Sequence, residues 1–219
     1  MVSDKAREQA ARILAVLART YPRAETALVY QDAFQLLVAV VLSARTTDVQ
    51  VNKVTPALFR RYPTAQTMAL AGGADLEKLI AHVGLFRAKA RHLIDLSAAL
   101  DREHGGDVPG ERAALEQLPG VGHKTASVVL GVLFGQPTLP VDTHVFRVTH
   151  RLGLAHAADP VRVEEELCLL VPPESRLAVH HRLIAHGRTV CPARSPRCGS
   201  CPLVSLCVYP AENREGAGG

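Results

Sequence analysis

Residues 118–126 read Leu-Pro-Gly-Val-Gly-His-Lys-Thr-Ala and join two segments, at about 111–118 and 122–134, whose apolar residues recur with helical spacing. Gly120 and Gly122 allow backbone N–H groups to approach a ligand closely, and the positive end of the second helix dipole attracts an anion. The stretch therefore predicts a helical hairpin that grips a nucleic acid phosphate without reading bases. An ordinary tight turn between two helices is the alternative, because a Gly-x-Gly pair alone has low specificity.

Lys124 lies in the first turn of the second of these helices, where the helix dipole disfavours a protonated amine. An amine that is partly neutral can attack a carbon centre, which an ordinary solvated lysine rarely does. Asp142 follows eighteen residues later, at the expected N-cap of another helix. Lys124 alone fits a nucleophile and a phosphate contact equally well, and the carboxylate of Asp142 favours the nucleophile.

Helical periodicity also dominates the rest of the chain, so we expect an all-α fold. Aromatic residues make up only 4% and Trp is absent, which suits helices rich in Leu, Val and Ala better than a sheet. Ser3, Asp32 and either Thr47 or Asp48 are expected to cap the first three helices. The other predicted helices lie at about 75–83, 87–100, 142–152, 160–170 and 176–186, and a break at 137–140 is a candidate domain boundary.

Composition excludes several classes of protein. The chain has 219 residues, of which 47% are hydrophobic and 21% charged, as in folded globular proteins rather than disordered or fibrous ones. The apolar run from Leu36 to Leu42 is far shorter than the roughly 20 residues of a membrane helix, and the N-terminus lacks the layout of a signal peptide. We therefore expect a soluble cytoplasmic protein with no membrane partner.

The net charge of +4 is too small to identify a polyanionic partner, but its distribution is uneven. Residues 175–211 contain no Asp or Glu and include these basic or imidazole side chains: Arg176, His180, His181, Arg182, His186, Arg188, Arg194 and Arg197. A second, shorter basic set comprises Arg87, Lys89, Arg91 and His92. Two solvated helix faces are the simplest interpretation, and a phosphate-binding surface is the other.

Four cysteines, Cys191, Cys198, Cys201 and Cys207, form the pattern C-x6-C-x2-C-x5-C. Disulfides would require an oxidising compartment, for which the sequence gives no export signal, so metal ligation is the better explanation. Zinc sites usually use two tight pairs of cysteines, whereas this pattern has one tight pair flanked by wider gaps. The spacing favours a cubane iron-sulfur cluster over zinc.

Taken together, residues 118–126, residues 141–145 and the cysteine pattern resemble the endonuclease III family of DNA base excision repair glycosylases. Residues 42–48, residues 84–90 and the Phe146-Arg147 pair also resemble family blocks, in the expected order. The resemblance implies a two-domain, all-α helix-hairpin-helix glycosylase fold. In it, a six-helix barrel at about 26–136 accompanies a domain in which residues 1–25 join residues 137–219 around a [4Fe-4S] cluster.

The resemblance also implies a role for individual residues. Lys124 would attack C1′ of a damaged, flipped-out pyrimidine nucleotide, and the resulting Schiff base would permit β-elimination. Asp142 would help to activate the lysine and balance the positive charge that develops on the sugar. The remaining implied roles are phosphate binding with a bound monovalent cation for Gly120 and Gly122, DNA contacts for Arg45, Leu85 and His144, and cluster ligation for Cys191, Cys198, Cys201 and Cys207.

The implied partner is double-stranded DNA with a damaged base or an abasic site, and we expect the chain to act on it as a monomer in the nucleoid. Three departures from the family pattern affect details of this picture, one of them Arg87, which stands where Asn is frequent. Arg45 stands where the family commonly has Gln, which puts the preference for the base opposite the lesion in doubt, and His123 replaces the usual Arg beside the nucleophile.

Two other functions compete with this one. Adenine glycosylases share the cysteine spacing and a similar hairpin, but normally lack a lysine at the position of Lys124 and carry a further C-terminal domain. A noncatalytic DNA-binding module would use the hairpin and cluster only for attachment, with Lys124 as a phosphate contact and Asp142 as a helix cap.

Overall fold

The computed structural model describes residues 3–209. Within this range the regular structure is entirely helical, as the sequence predicted. The α-helices are α1 (Asp4–Thr20), α2 (Ala33–Ser43), α3 (Asp48–Arg61), α4 (Ala65–Ala69), α5 (Gly73–Leu79), α6 (Phe86–His104), α7 (Arg112–Gln117), α8 (His123–Phe134), α9 (Thr143–Arg151), α10 (Pro160–Cys168) and α11 (Arg176–Thr189). Short 3-10 helices occur at Pro173–Ser175, Cys198–Ser200 and Val204–Leu206. No helix among the described residues is long and apolar enough to cross a membrane.

The predicted N-terminal caps of the first three helices are confirmed. The side chains of Ser3, Asp32 and Thr47 each accept a hydrogen bond from a first-turn backbone amide of α1, α2 and α3. Such bonds satisfy amides that have no acceptor inside the helix. Periodicity missed α4, because five residues give too few apolar repeats, and it extended α5 beyond its end at Leu79.

The first of two compact units comprises residues 27–136 and contains α2 to α8. Its centre is α2, in which every residue from Phe34 to Leu42 is buried. Helices α3, α6 and α8 all pack against α2, which explains why this helix is apolar on every side. The unit therefore offers a rigid base for the loops that surround it.

The second unit comprises residues 137–209 together with the N-terminal segment 3–26. Its core includes Ile13 and Leu17 of α1, Val145 and Val148 of α9, and Leu183 of α11. Helix α11 packs against both α1 and α9. The N-terminal helix is thus an integral part of a core that the last third of the chain completes.

Candidate functional site

Helices α7 and α8 form the predicted helical hairpin, and residues 118–122 make its turn. Leu118 and Val121 are buried and anchor the turn in the core of the first unit. Gly120 has φ +80°, a left-handed conformation that side chains other than Gly rarely adopt. A Cβ atom at this position would also lie 3.0 Å from Cβ of His92 in α6. Both backbone conformation and space therefore require glycine at this point of the turn.

The start of α8 is open to a ligand. Its N-cap is Gly122, which supplies no side chain to bind the first amides of the helix. Backbone N–H groups in a first helical turn have no acceptor within the helix, and the helix dipole makes this end positive. Lys124, the second residue of α8, is exposed. Lys124 thus lies in the first turn of α8, the position in the helix that the sequence predicted.

A polar network lies next to Lys124. Arg112 Nη1 donates to Ser127 Oγ over 3.0 Å, and it also lies 3.3 Å from Oε1 of Glu116. His123 Nδ1 is hydrogen-bonded to the same Glu116 oxygen over 3.1 Å. His123 is therefore bound to α7, the first helix of the hairpin.

Asp142 is the N-cap of α9, as expected. Its Oδ1 atom accepts hydrogen bonds from the backbone amides of His144 and Val145, both over 2.8 Å. Within residues 3–209, no hydrogen bond to the other carboxylate oxygen is found. One oxygen therefore holds the helix, while the second is available for another interaction.

Arg147 connects the start of α9 to the cysteine segment. Its Nη2 atom donates to the carbonyls of Gly187 and Cys191, each over 3.0 Å, and lies 3.2 Å from Nδ1 of His144. Burial lowers the pKa of His144, and the neighbouring Arg147 lowers it further, while the charge of Asp142 raises it. Because a guanidinium group only donates hydrogen bonds, Nδ1 of His144 is the acceptor in its contact with Arg147.

All four cysteines of the C-x6-C-x2-C-x5-C pattern line one cavity. The rest of its wall is mainly apolar and includes Val148, Leu152, Val190 and Val204. No set of three His, Cys, Asp or Glu side chains among the described residues is arranged to hold a single metal ion. The four predicted ligands nevertheless line a common cavity.

Several donors point at the cysteine sulfurs. Arg151 Nη1 lies 3.2 Å from Sγ of Cys191, and the backbone amide of Leu203 lies 3.4 Å from Sγ of Cys201. Burial raises the pKa of the Cys201 and Cys207 thiols. Donors of this kind stabilise thiolates and tune a cluster that thiolates hold.

The basic sets predicted as solvated faces are only partly exposed. His180 and His186 are buried at 3% and 2% exposure, and His180 Nδ1 lies 2.6 Å from the carbonyl of Pro140. Burial lowers the pKa of His186 to about 4. Arg188, Arg194 and Arg197 are exposed and retain the predicted basic surface.

Arg45 and Leu85 lie in two loops of the first unit, after α2 and before α6. Both are exposed, and both have left-handed backbones, with φ of 55° and 60°. Lys89, which the sequence placed on an exposed basic face, is instead buried at 5% exposure beneath these loops. Burial lowers its pKa to about 8. The sequence does not reveal the burial of Lys89, because its three acceptors lie in residues 42–46, far from it in the chain.

The geometry of the hairpin and the cysteine cavity agrees with the comparisons to known proteins. The profile of the HhH-GPD superfamily of base excision DNA repair proteins matches residues 38–173. Endonuclease III of Haemophilus influenzae is 48% identical over 197 residues, which cover 90% of this chain and 93% of the relative. The chain belongs to the endonuclease III family.

Further relatives agree with this membership in the endonuclease III family. Endonuclease III of Escherichia coli (strain K12) is 46% identical, over 90% of this chain and 93% of the relative. A solved structure of a trapped endonuclease III–DNA covalent intermediate superimposes with a TM-score of 0.92 at 43% identity, covering 98% of this chain and 100% of that chain. The family resemblance and the fold class predicted from the sequence are thus confirmed. Members of the family generally carry a [4Fe-4S] cluster.

Proposed function

We propose that this chain is a DNA N-glycosylase and AP lyase that removes oxidised pyrimidines from double-stranded DNA. The observation that carries the proposal is the exposed amine of Lys124 at the uncapped start of α8, on a glycine hairpin of an endonuclease III family chain. A covalent intermediate needs an accessible nucleophile beside a site that holds the DNA strand. The hairpin supplies both within five residues, 120–124.

The hairpin binds the DNA backbone rather than the bases. Gly120 and Gly122 let the strand approach the amides at the start of α8, where the helix dipole favours a phosphate, together with a monovalent cation. The exposed Arg188, Arg194 and Arg197 add sequence-independent attraction to phosphates. Binding of this kind places any damaged nucleotide at the same site.

Removal of the lesion from the stack leaves a gap and an unpaired base. Leu85, which is 61% exposed at the end of its loop and directly precedes α6, fills the gap, and Arg45 contacts the base opposite the lesion. His144 contacts the DNA next to the reacting nucleotide. All three roles follow from the family resemblance, and the exposure of the two loops supports those of Leu85 and Arg45.

In the chemical steps, the Nζ atom of Lys124 forms a bond to C1′ of the deoxyribose, and the bond from C1′ to the damaged base breaks. The sugar ring then opens as the C1′–O4′ bond breaks and O4′ takes up a proton, which leaves a Schiff base between Nζ and C1′. The Schiff base acidifies the C2′ proton, whose loss expels the 3′ phosphate and nicks the strand. By the family resemblance, Asp142 helps to activate the lysine and balances the positive charge on the sugar, and the carboxylate oxygen that caps no amide is the one available for this role.

Cys191, Cys198, Cys201 and Cys207 are the residues that would hold a [4Fe-4S] cluster. Four thiols around one largely apolar cavity, with amide and guanidinium donors beside the sulfurs, fit such a group. When bound, the cluster would supply four iron–thiolate bonds that cross-link residues 191–207. This segment would then present Arg194 and Arg197 in fixed positions to the DNA backbone.

The test is reductive trapping with borohydride on a duplex that contains thymine glycol or an abasic site. We expect a protein–DNA adduct with the natural chain and none with Lys124→Ala. Lys53→Ala is the matched control, since Lys53 is an exposed helical lysine of the same unit, and it should trap normally. Absence of the adduct in the active natural chain, or undiminished trapping by Lys124→Ala, would refute the lyase function.

A panel of duplexes separates the proposal from the adenine glycosylase alternative. Release of thymine glycol and dihydrouracil with strand nicking supports the proposal, whereas release of adenine opposite oxidised guanine, without nicking, supports the alternative. Binding of all duplexes without base release would indicate the noncatalytic module. We expect the enzyme to act as a monomer, in the cytoplasm, on chromosomal DNA.

A further inference from the structure

Lys89 makes an unusual set of contacts beneath the Arg45 loop. Its Nζ atom donates to the carbonyl oxygens of Leu42 and Ala44 over 2.8 and 2.5 Å, and to the hydroxyl of Thr46 over 3.1 Å. An ammonium group has three N–H donors, so this arrangement uses all of them. The three acceptors lie on alternate residues of one short segment, 42–46, which runs out of the end of α2. The Lys89 side chain therefore fixes the backbone path of residues 42–46.

The charge of Lys89 is compensated by dipoles rather than by an acidic side chain. Among the described residues, no salt bridge to Lys89 is found. The carbonyls at the end of α2 lack partners inside the helix and form the negative end of its dipole. A buried cation is tolerated only where such groups surround it, which explains its position at this helix end.

Thr46 extends the contact to the second loop. Its hydroxyl oxygen accepts a hydrogen bond from the backbone amide of Gly84 over 3.2 Å, in addition to the bond from Lys89. A Cβ atom at Gly84 would lie 3.0 Å from the carbonyl oxygen of Arg45, so the two loops touch at their backbones. Lys89 itself belongs to α6, and its amide donates to the carbonyl of Leu85. The Lys89 side chain thus holds the Arg45 loop, and Thr46 connects that loop to the Leu85 loop.

The loops that Lys89 joins contain two of the three non-glycine residues with positive φ in residues 3–209, Arg45 and Leu85. The left-handed conformation is unfavourable for such residues and persists only where surrounding contacts hold it. The contacts that hold it here are those of Lys89, Thr46 and Gly84.

We propose that Lys89 is a positioning residue that holds Arg45 and Leu85 in register for insertion into damaged DNA, so that discrimination between opposite bases depends on it. The inference rests on the proposed function, in which these two exposed side chains enter the duplex. Lys89 is buried and acts through the loops, not by contact with the reacting atoms.

The experiment compares the full chain with Lys89→Met, which keeps the length and apolar stem of the side chain but removes its donors. Base release from thymine glycol is measured opposite each of the four bases, and 2-aminopurine opposite the lesion reports insertion by its fluorescence. We expect the ratio between the best and worst opposite base to fall at least fivefold, the 2-aminopurine signal to decrease, and the loss of kcat/KM to be mainly in KM.

A second pair of variants keeps the inference testable if Lys89→Met folds poorly. Thr46→Val removes the hydroxyl that joins the loops at almost constant volume, and Thr46→Ser retains it. Thr46→Val should show the same loss of discrimination, and Thr46→Ser should restore it. Wild-type discrimination and fluorescence in both Lys89→Met and Thr46→Val would overturn the inference. Absence of base release in the natural chain would instead overturn the proposed function.

Discussion

The two oxygens of Asp142 allow its structural and chemical contributions to be separated by substitution. Oδ1 accepts two amide hydrogen bonds at the start of α9, both over 2.8 Å. Asn can retain these bonds but lacks the negative charge, so Asp142→Asn should change the free energy of unfolding by less than about 0.5 kcal/mol. Asp142→Ala removes the bonds as well and should cost about 1–2 kcal/mol.

The effect on catalysis should be much larger than either change in stability. Loss of a group that stabilises developing charge typically costs about 3–4 kcal/mol, or a factor of about 100 to 1,000 in rate. We therefore expect both Asp142 variants to release thymine glycol at least about 100-fold more slowly under single-turnover conditions. DNA binding by Asp142→Asn should remain close to that of the natural chain.

Asp159 provides a matched control in the same unit. It caps α10 with the same geometry, since its Oδ1 atom accepts from the amides of Val161 and Arg162 over 3.0 and 3.2 Å. Asp159→Ala should lose about 1 kcal/mol of stability, as judged by urea unfolding, yet retain base release. Turnover of Asp142→Asn within twofold of the natural chain would refute the role of the carboxylate, as would an equal loss of turnover in Asp159→Ala.

Three further predictions concern the hairpin, the cluster and Lys89. Gly120→Ala should weaken binding to duplex DNA and destabilise the fold by more than Gly135→Ala. Both glycines have positive φ, but only at Gly120 would the new Cβ meet a neighbour, His92. Equal effects of the two substitutions in thermal unfolding and DNA binding would contradict this. The purified protein should be brown and contain about four irons per chain by metal analysis, as a cubane requires, whereas a colourless zinc protein with full activity would exclude the cluster. The pKa of Lys89 is lowered to about 8 from 10.5, so between these pH values the unfolded chain binds more protons than the folded chain. The free energy of unfolding of the natural chain, relative to that of Lys89→Met, should therefore increase with pH by up to about 1.4 kcal/mol per pH unit. A difference in urea unfolding that stays constant from pH 8 to 10 would argue against this burial effect.

Features set by local sequence were predicted well. Ser3, Asp32, Thr47 and Asp142 cap helices as expected, because capping depends on a hydrogen bond within three or four residues. Lys124 was placed correctly in the first turn of its helix for the same reason.

Features set by distant contacts could not be predicted. Lys89 was assigned to an exposed basic face, but its three acceptors lie more than forty residues earlier in the chain. His186 was counted as part of a basic surface, but it is buried against Tyr21, with its Nδ1 atom 3.0 Å from the Tyr21 hydroxyl. The pattern of charges along a helix does not show which of its charged side chains will contact residues that are distant in the chain.

The arrangement of the two units along the chain has a consequence for synthesis on the ribosome. Residues 27–136 are continuous and can fold as soon as they emerge, whereas α1 emerges first but packs on α11, which begins at Arg176. More than 150 residues are therefore translated after α1 before α11 is available to cover its apolar face, which contains Ala10, Ile13 and Leu17. During that interval the apolar face of α1 is exposed on the nascent chain, where a chaperone that binds unfolded segments can cover it.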